Sequence, residues 1–237
     1  MKRRFLFLVQ PALALSLSLS LGTATLLRAD EPAPLDPAKW DADIAAFAKR
    51  DATTPAPEGA LLFVGSSTIR MWDLPASWPG EKLLNNGFGG STLPDAIHHF
   101  DRLVAAYRPR AVILYSGDND ISRGHTPARV VEDFKTFAAL SQKAHPGVPV
   151  LILAVKPSVK RWNLWPAMRE VNEAIQAHCA GTPGLFFVDV ATPLLGPEGA
   201  MPAASWFKAD GLHLSPEGYA QWTAIVSKAL REAGVRD

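Results

Sequence analysis

The sequence is poor in cysteine and in net charge. Among its 237 residues there is one cysteine, Cys179, and the formal net charge is only +1. A single cysteine cannot form an internal disulfide, and it cannot supply the paired thiolates of a structural zinc site. The near balance of charges also lacks the basic excess with which proteins hold nucleic acid. We therefore exclude a disulfide scaffold, a cysteine-based zinc module and a nucleic-acid partner.

Long apolar runs are also missing, except at the N-terminus. Basic residues at positions 2–4 precede an apolar stretch over residues 5–27, and small residues stand near Ala24 and Ala29. This order of basic, apolar and small residues is typical of a secretory signal peptide. We predict a signal peptide over residues 1–29, a secreted or periplasmic location, and no stable membrane span once the signal is cleaved. The alternative is an uncleaved membrane anchor, because about 20 apolar residues can span a bilayer.

The rest of the chain alternates between short apolar runs and stretches with helical spacing. The apolar runs lack the polar alternation of a half-exposed sheet, which indicates strands buried on both faces. Amphipathic helical patterns separate them. This order predicts an α/β fold with a three-layer α/β/α sandwich and a five-stranded parallel sheet. The runs are Ala60–Val64, Lys82–Asn86, Ala111–Tyr115, Pro149–Val155 and Leu185–Val190.

The domain organisation follows from composition. A proline-rich linker and an N-terminal helix are predicted over residues 30–57, because Asp36 and Pro37 provide the start signals of a helix. A single folded domain is predicted over residues 58–237. The sequence shows no internal repeat and no second domain, and it leaves the oligomeric state open.

Polar residues gather in loops that follow predicted strands. The carboxyl ends of parallel strands meet at one edge of a sheet, which is where such folds bind their ligands. These loops are therefore where chemistry is expected. They are Gly65–Thr68, Gly87–Ser91, Ser116–Asp120 and Asp210–His213.

Each of these loops has both a chemical and a purely structural interpretation. Ser66 or Ser67, at a strand-to-helix junction, is either a reactive hydroxyl or an N-cap. Asn119 either donates its amide to an oxyanion or forms an Asx turn. Asp210 either orients His213 as a base or pairs with it as a cap. The glycine loop lets backbone N–H groups approach a ligand, but it lacks the G-x-G-x-x-G spacing of dinucleotide binding.

Taken together, the loops resemble the SGNH hydrolases, the GDSL-type esterase and lipase superfamily. The sequences FVGSSTIRMW, NNGFGGST, SGDND and DGLHL follow one another in the order of that superfamily's blocks, between Ala60 and His213. The "VGSS" turn and the "DGLHL" ending are similar to those of esterases that resemble platelet-activating-factor acetylhydrolase. The resemblance implies a flavodoxin-like sheet and a hydrolase that needs no metal or organic cofactor.

The resemblance also implies roles for particular residues. Ser67, the third residue of the first block, is implied as the nucleophile. His213 and Asp210 are implied as the base and the acid of the triad. The implied oxyanion hole consists of the backbone N–H groups of Ser67 and Gly90 and the side chain of Asn119.

One position departs from the superfamily pattern, and two carboxylates near the predicted site are not assigned a catalytic role. Ser66 stands where the superfamily has an aspartate, but that residue is not part of the triad, so the nucleophile assignment is unaffected. Asp118 and Asp120 are interpreted as solvated loop carboxylates rather than catalytic acids.

The expected function is a secreted serine esterase that forms an acyl-enzyme. We predict small or short-acyl esters as substrates, such as O-acetylated carbohydrate. Trp162 and Trp206 are expected to wall the substrate site, and Lys156, Lys160 and Arg161 to bring polarity to the same edge. The alternatives are a lysophospholipase or thioesterase on the same triad, or a non-hydrolytic flavodoxin-like module that binds phosphate or flavin.

Overall fold

A parallel sheet forms the centre of the computed structural model, which describes residues 36–235. The strand order is β2-β1-β3-β4-β5, and every neighbouring pair is parallel. This is the order of the flavodoxin-like doubly wound sheet, so the predicted α/β sandwich is confirmed. The strands are β1 (Leu61–Gly65), β2 (Leu83–Gly87), β3 (Ala111–Tyr115), β4 (Val150–Leu153) and β5 (Leu185–Val188).

The central strands are covered on both faces. All residues of β1, β3 and β4 are buried, which explains why their sequences are apolar without alternation. The helices that flank the sheet are α1 (Asp41–Thr53), α2 (Ser67–Arg70), α3 (Leu74–Ser77), α4 (Leu93–His98), α5 (Asp118–Ser122), α6 (Pro127–Ala144), α7 (Trp165–Ala180) and α8 (Pro216–Glu232).

Side-chain caps start two of the long helices. Thr126 Oγ1 accepts the backbone N–H of Arg129 at the start of α6, and Ser215 Oγ accepts that of Gly218 at the start of α8. Both are followed by proline at the first helical position, which favours the helical backbone. The start of α8 fixes the loop just before it, and this loop carries His213.

The N-terminal helix packs on the same core as the rest of the structure. Trp40 and Ile44 are buried, and Arg50 Nη1 donates to the carbonyl oxygen of Asn85 across 3.0 Å. The predicted signal peptide, residues 1–29, lies outside the described residues. Within residues 36–235, the helices are all too short or too polar to cross a membrane.

The strand register brings the polar loops side by side. Gly65 at the end of β1 pairs with Gly87 of β2 on one side and with Tyr115 of β3 on the other. Strands β1, β2 and β3 therefore end at the same level of the sheet. This places the loops after β1, β2 and β3 next to one another at the carboxyl edge.

Candidate active site

Ser67 is the first residue of α2, directly after the turn that follows β1. Gly65 has φ +148°, and a Cβ on it would lie 1.9 Å from the carbonyl oxygen of Tyr115. Only glycine fits this approach, which lets the chain turn sharply from strand to helix. As a result, the Ser67 hydroxyl stands at the sheet edge, with Oγ 3.0 Å from Nε2 of His213.

The interpretation of this turn as a serine N-cap does not hold. Ser66 occupies the N-cap position of α2, yet its side chain makes no capping hydrogen bond. Its hydroxyl is buried and finds no hydrogen-bond partner among the described residues. The polar interaction in the turn is thus made by Ser67, through His213.

Asp210 holds both the imidazole of His213 and the loop that carries it. Its Oδ2 lies 2.6 Å from Nδ1 of His213. Its Oδ1 accepts the backbone N–H groups of Leu212 and His213 at 2.9 and 3.0 Å. The structure therefore brings together the three residues that the sequence predicts as a triad, in the connectivity of a nucleophile, a base and an orienting acid.

The electrostatics of Asp210 suit an orienting acid. Partial burial raises its pKa. The hydrogen bonds from the His213 ring and from the backbone N–H groups of Leu212 and His213 lower it, and together they outweigh the effect of burial. The net pKa lies well below the usual value of a carboxyl group. Asp210 is accordingly ionised and accepts the proton on Nδ1, which leaves Nε2 of a neutral imidazole free to take a proton from Ser67.

The loop with Asp210 and His213 is anchored to its surroundings through backbone bonds. The N–H of Lys208 donates to the carbonyl of His213 across 2.8 Å, and the N–H of Lys160 donates to the carbonyl of Gly211 across 3.0 Å. The second bond ties this loop to the segment after β4. The position of the imidazole thus depends on two separate parts of the chain.

The residues predicted for the oxyanion hole lie on the loops after β1, β2 and β3. Gly90 has φ +76°, the left-handed region that favours glycine. Asn119, in α5, is almost fully buried and donates from Nδ2 to the carbonyl oxygen of Ser91 across 3.0 Å. Its Oδ1 accepts from Nη2 of Arg161 across 3.0 Å, so its side chain does not form an Asx turn.

The prediction that Asp118 and Asp120 are solvated is wrong. They are 4% and 0% exposed. Asp118 Oδ2 accepts from Lys156 and Arg161, and Asp120 Oδ1 accepts the backbone N–H of Leu93 across 2.9 Å. Burial raises the pKa of Asp120 to about 7, despite the opposing hydrogen bond from Leu93. The first turn of α5 follows β3 directly and is covered by neighbouring loops, which a local pattern does not reveal.

The expectation for Lys156 and Arg161 is also corrected. Lys156 is 1% exposed, with Nζ 3.4 Å from Asp118 Oδ2 and 5.6 Å from the centre of the Tyr115 ring. Burial lowers its pKa, while the charge of Asp118 opposes this effect. Lys156 and Arg161 are engaged with Asp118 inside the protein, whereas Lys160 is exposed.

The aromatic residues predicted as substrate walls are half-buried. Trp162 and Trp206 pack against the core with part of their surface exposed. Trp162 stacks on Trp165, with ring centres 6.4 Å apart. Their contact with a substrate stays a prediction.

Among residues 36–235, one cluster of potential metal ligands includes Asp120, the neighbour of Asn119 in the chain. Ligand atoms of Asp120, His125 and Asp133 are within 4.8 Å of one another. However, Nε of Arg129 donates to both carboxylate oxygens of Asp133, at 3.0 and 2.9 Å. A cation already compensates this carboxylate, so a metal ion would have to displace the guanidinium.

The sheet has the α/β topology of the flavodoxin-like fold, and Ser67, His213 and Asp210 are hydrogen-bonded in the order that a serine hydrolase requires. Residues 65–221 match the model of the GDSL-like Lipase/Acylhydrolase family, and the chain therefore belongs to this family. It is an ester hydrolase of the GDSL type. Family membership and the hydrogen-bonded pair of Asp210 and His213 both argue against the alternative of a non-hydrolytic flavodoxin-like module, which gives these two residues no role.

Individual relatives agree with this assignment. The rat platelet-activating factor acetylhydrolase IB subunit alpha1 is 27% identical over 168 residues, which cover 68% of this chain and 71% of the relative. A solved GDSL-like lipase from Bacteroides thetaiotaomicron has a TM-score of 0.69 at 20% identity, covering 81% of this chain and 98% of that chain. A solved carbohydrate esterase family 3 protein from Talaromyces cellulolyticus has a TM-score of 0.57 at 15% identity, covering 76% and 100%. The two solved structures share the fold.

Proposed function

We propose that this chain is a secreted or periplasmic serine esterase that cleaves short-acyl esters, such as O-acetylated carbohydrate. The observation that carries the proposal is the continuous chain of hydrogen bonds from Ser67 Oγ through the imidazole of His213 to the Asp210 carboxylate. Such a chain activates a hydroxyl that is otherwise a weak nucleophile.

The first half of the reaction forms an acyl-enzyme. Nε2 of His213 takes the proton of the Ser67 hydroxyl as Oγ attacks the ester carbonyl carbon. The carbonyl oxygen becomes an oxyanion that accepts hydrogen bonds from the backbone N–H groups of Ser67 and Gly90 and from Nδ2 of Asn119. When the tetrahedral intermediate collapses, His213 gives its proton to the leaving alcohol, and the acyl group stays on Oγ.

The second half releases the acid. A water molecule gives a proton to Nε2 of His213 and attacks the acyl carbon through its oxygen. The same donors hold the second oxyanion, the bond to Ser67 Oγ breaks, and the proton returns to Oγ. Asp210 stays ionised in both halves and stabilises the imidazolium whenever it forms.

Two features support short acyl groups on a polar alcohol. Phe88 and Phe207, on the loops around the triad, are buried and therefore fill space instead of lining a channel. The aromatic surfaces that stay partly exposed belong to Trp162 and Trp206, and flat aromatic faces suit the apolar side of a sugar ring. The predicted signal peptide agrees with glycan esters outside the cytoplasm as substrates, and the solved carbohydrate esterase has a similar fold.

One observation favours lysophospholipase or thioesterase activity as a second candidate. A groove of about 630 Å³ lies between the α2–α3 segment and α8, and mostly apolar side chains line it. Leu214, which follows His213 in the chain, is one of them. The apolar lining also includes Met71, Trp72 and Tyr219. A groove of this size has room for an acyl chain longer than butyryl.

A chain-length series separates the two candidates. We expect kcat/KM on nitrophenyl esters to be highest between acetyl and butyryl, and to be abolished in every case by Ser67→Ala. Acetylated polysaccharides and lysophospholipids then test the alcohol. A maximum at ten or more carbons contradicts the short-acyl proposal and favours the second candidate. Hydrolysis that is equal in wild type and Ser67→Ala contradicts the esterase mechanism itself.

A further inference from the structure

Two neighbours fix the orientation of the Asn119 amide. Nη2 of Arg161 donates to Asn119 Oδ1, and Asn119 Nδ2 donates to the carbonyl oxygen of Ser91, both across 3.0 Å. A guanidinium offers only donors, and a carbonyl oxygen only accepts. A flipped amide would place its NH2 group against the guanidinium and its oxygen against the Ser91 carbonyl. Both neighbours therefore select the same orientation, which leaves the second Nδ2 hydrogen for another acceptor.

Buried charges hold Arg161 in place. Its Nη1 donates to Asp118 Oδ2 across 3.2 Å, and Nζ of Lys156 lies 3.4 Å from the same oxygen. The side chains of Lys156 and Asp118 are 1% and 6% exposed, and that of Arg161 is 16% exposed. Two cations thus share the Asp118 carboxylate, and one of them, the Arg161 guanidinium, lies directly against Asn119. Buried charges need such partners, and the resulting ion cluster restricts the guanidinium to one place.

We propose that Arg161 is a positioning residue of the oxyanion hole and acts through Asn119. The proposal rests on the esterase function proposed above. The contact with Oδ1 fixes the direction of the free Nδ2–H, and the adjacent positive charge polarises the amide so that this N–H becomes a stronger donor. Arginine suits the task because its planar guanidinium reaches two acceptors at once, the Asp118 carboxylate and the Asn119 oxygen.

The same contacts argue against direct substrate binding by Arg161. Both of its terminal nitrogens are engaged with protein oxygens, on Asp118 and on Asn119. The Arg161 side chain is also only 16% exposed, so little of the guanidinium is open to a substrate. The effect of Arg161 is therefore expected in kcat, through the stabilisation of the oxyanion, with KM unchanged.

A double-mutant cycle with Asn119 tests the proposal. Arg161→Met leaves Asp118 balanced by Lys156, so we expect it to fold. It should lower kcat on a short nitrophenyl ester about tenfold, since it disorders one oxyanion donor without removing it. In the Asn119→Ala background the same substitution should have no further effect. Arg161→Lys, which keeps the charge and a donor, should recover part of the loss.

Arg169→Met is the matched control, because Arg169 is an exposed arginine on α7 whose ion pair among residues 36–235 is with Glu173. It should keep wild-type kinetics. An equal loss of kcat from Arg161→Met in the wild-type and Asn119→Ala backgrounds would overturn the proposal. A change in KM at constant kcat would also overturn it. Melting curves establish that each variant is folded, and if Arg161→Met is not, Arg161→Lys takes its place in the cycle.

An NMR measurement tests the positioning role without any substrate. The side-chain NH2 signals of Asn119, assigned by their loss in Asn119→Ala, should shift or broaden in Arg161→Met and stay unchanged in Arg169→Met. Unchanged signals in Arg161→Met would overturn the proposal. A wild-type protein without esterase activity would instead contradict the proposed function, and the two failures are therefore distinct.

Discussion

Ser67 and His213 stand 146 positions apart in the chain, yet the serine Oγ lies 3.0 Å from the imidazole Nε2. The serine is held by the turn after β1, and the histidine by the loop before α8. Because each is fixed by its own backbone contacts, removing one side chain should leave the other in place. Single substitutions at this site are therefore expected to report on chemistry more than on folding.

The two serines of the turn should behave differently. Ser67→Ala should reduce ester hydrolysis to the background rate with an unchanged melting temperature, because it removes one oxygen from the surface of the site. Ser66→Ala should keep most of the activity. It removes a buried hydroxyl without a partner among the described residues, so the free energy of unfolding should stay equal or rise by up to about 1 kcal/mol. An inactive Ser66→Ala and an active Ser67→Ala would assign the nucleophile to Ser66.

Asp210→Asn should lower kcat by about 10⁴, because an amide does not hold the imidazole tautomer that accepts the serine proton. Kinetics on a short ester measure the loss. Asp189→Asn is a matched control, since Asp189 Oδ1 also accepts two backbone N–H groups, at 3.1 and 2.9 Å, in a loop after a strand. Its activity should stay close to wild type. Similar losses in both variants would show that Asp210 acts on the loop alone.

Asn119→Ala should lower kcat by about 10²–10³, equivalent to roughly 3–4 kcal/mol, with little change in KM. The reason is that the Asn119 amide stabilises the substrate carbonyl oxygen mainly in the transition state, when that oxygen carries negative charge. Steady-state kinetics on a short-acyl ester separate the two constants. A higher KM at constant kcat would make Asn119 a substrate-binding residue.

Gly90→Ala tests the backbone donor. A Cβ on Gly90 would lie 3.7 Å from the Trp40 ring, an ordinary contact, but alanine at φ +76° costs about 1–2 kcal/mol. We expect the backbone at residue 90 to move so that this strain is reduced. The movement would shift the N–H group of residue 90 away from the oxyanion and lower kcat. Gly147→Ala introduces a similar strain at φ +82°, with no atom within 4 Å of the new Cβ. Melting curves should show similar destabilisation for both, whereas esterase assays should show a loss of activity for Gly90→Ala only.

The buried Asp120 should make stability depend on pH. Burial raises its pKa from 3.8 to about 7 in the folded state. Between these values the folded state binds one more proton than the unfolded state, so the free energy of unfolding falls as the pH rises, by up to about 4 kcal/mol. Asparagine mimics the neutral acid and keeps an oxygen for the N–H of Leu93. Asp120→Asn should therefore exceed wild type in stability at pH 8 and match it at pH 4.

Urea unfolding at pH 4, 6 and 8 measures this difference between wild type and Asp120→Asn. A constant difference across the three pH values, or a variant that is less stable at pH 8, would mean that the folded protein stabilises the ionised carboxylate. The activity of the variant should change far less than that of Asp210→Asn, because the hydrogen bond to the His213 ring is made by Asp210, whereas Asp120 accepts the N–H of Leu93.

Part of the fold and of the site could be predicted from the sequence because the signals are local. Val112, Ile113 and Leu114 belong to an unbroken apolar run, and such a run forms a strand wherever both faces of a sheet are covered. Asp210 and His213 lie three positions apart, so one short loop brings their side chains together. The role of Ser67 was predicted from a resemblance in the order of the loops. The structure places these loops side by side at one edge of the sheet.

Burial and partners in the loops were decided only by the tertiary structure. The sequence around Asp118 and Asp120 is that of a polar loop and predicted solvated carboxylates, and Lys156 was expected at the substrate edge, yet all three are buried. The bond between Arg161 and Asn119 joins residues 42 positions apart. No local pattern encodes such a contact, because it depends on how the segment after β4 covers the end of β3. The sequence by itself determined which strands form and where reactive groups stand along the chain. Only the packing of one loop on another decided which charges are shielded from water, and thereby which side chains fix the orientation of Asn119.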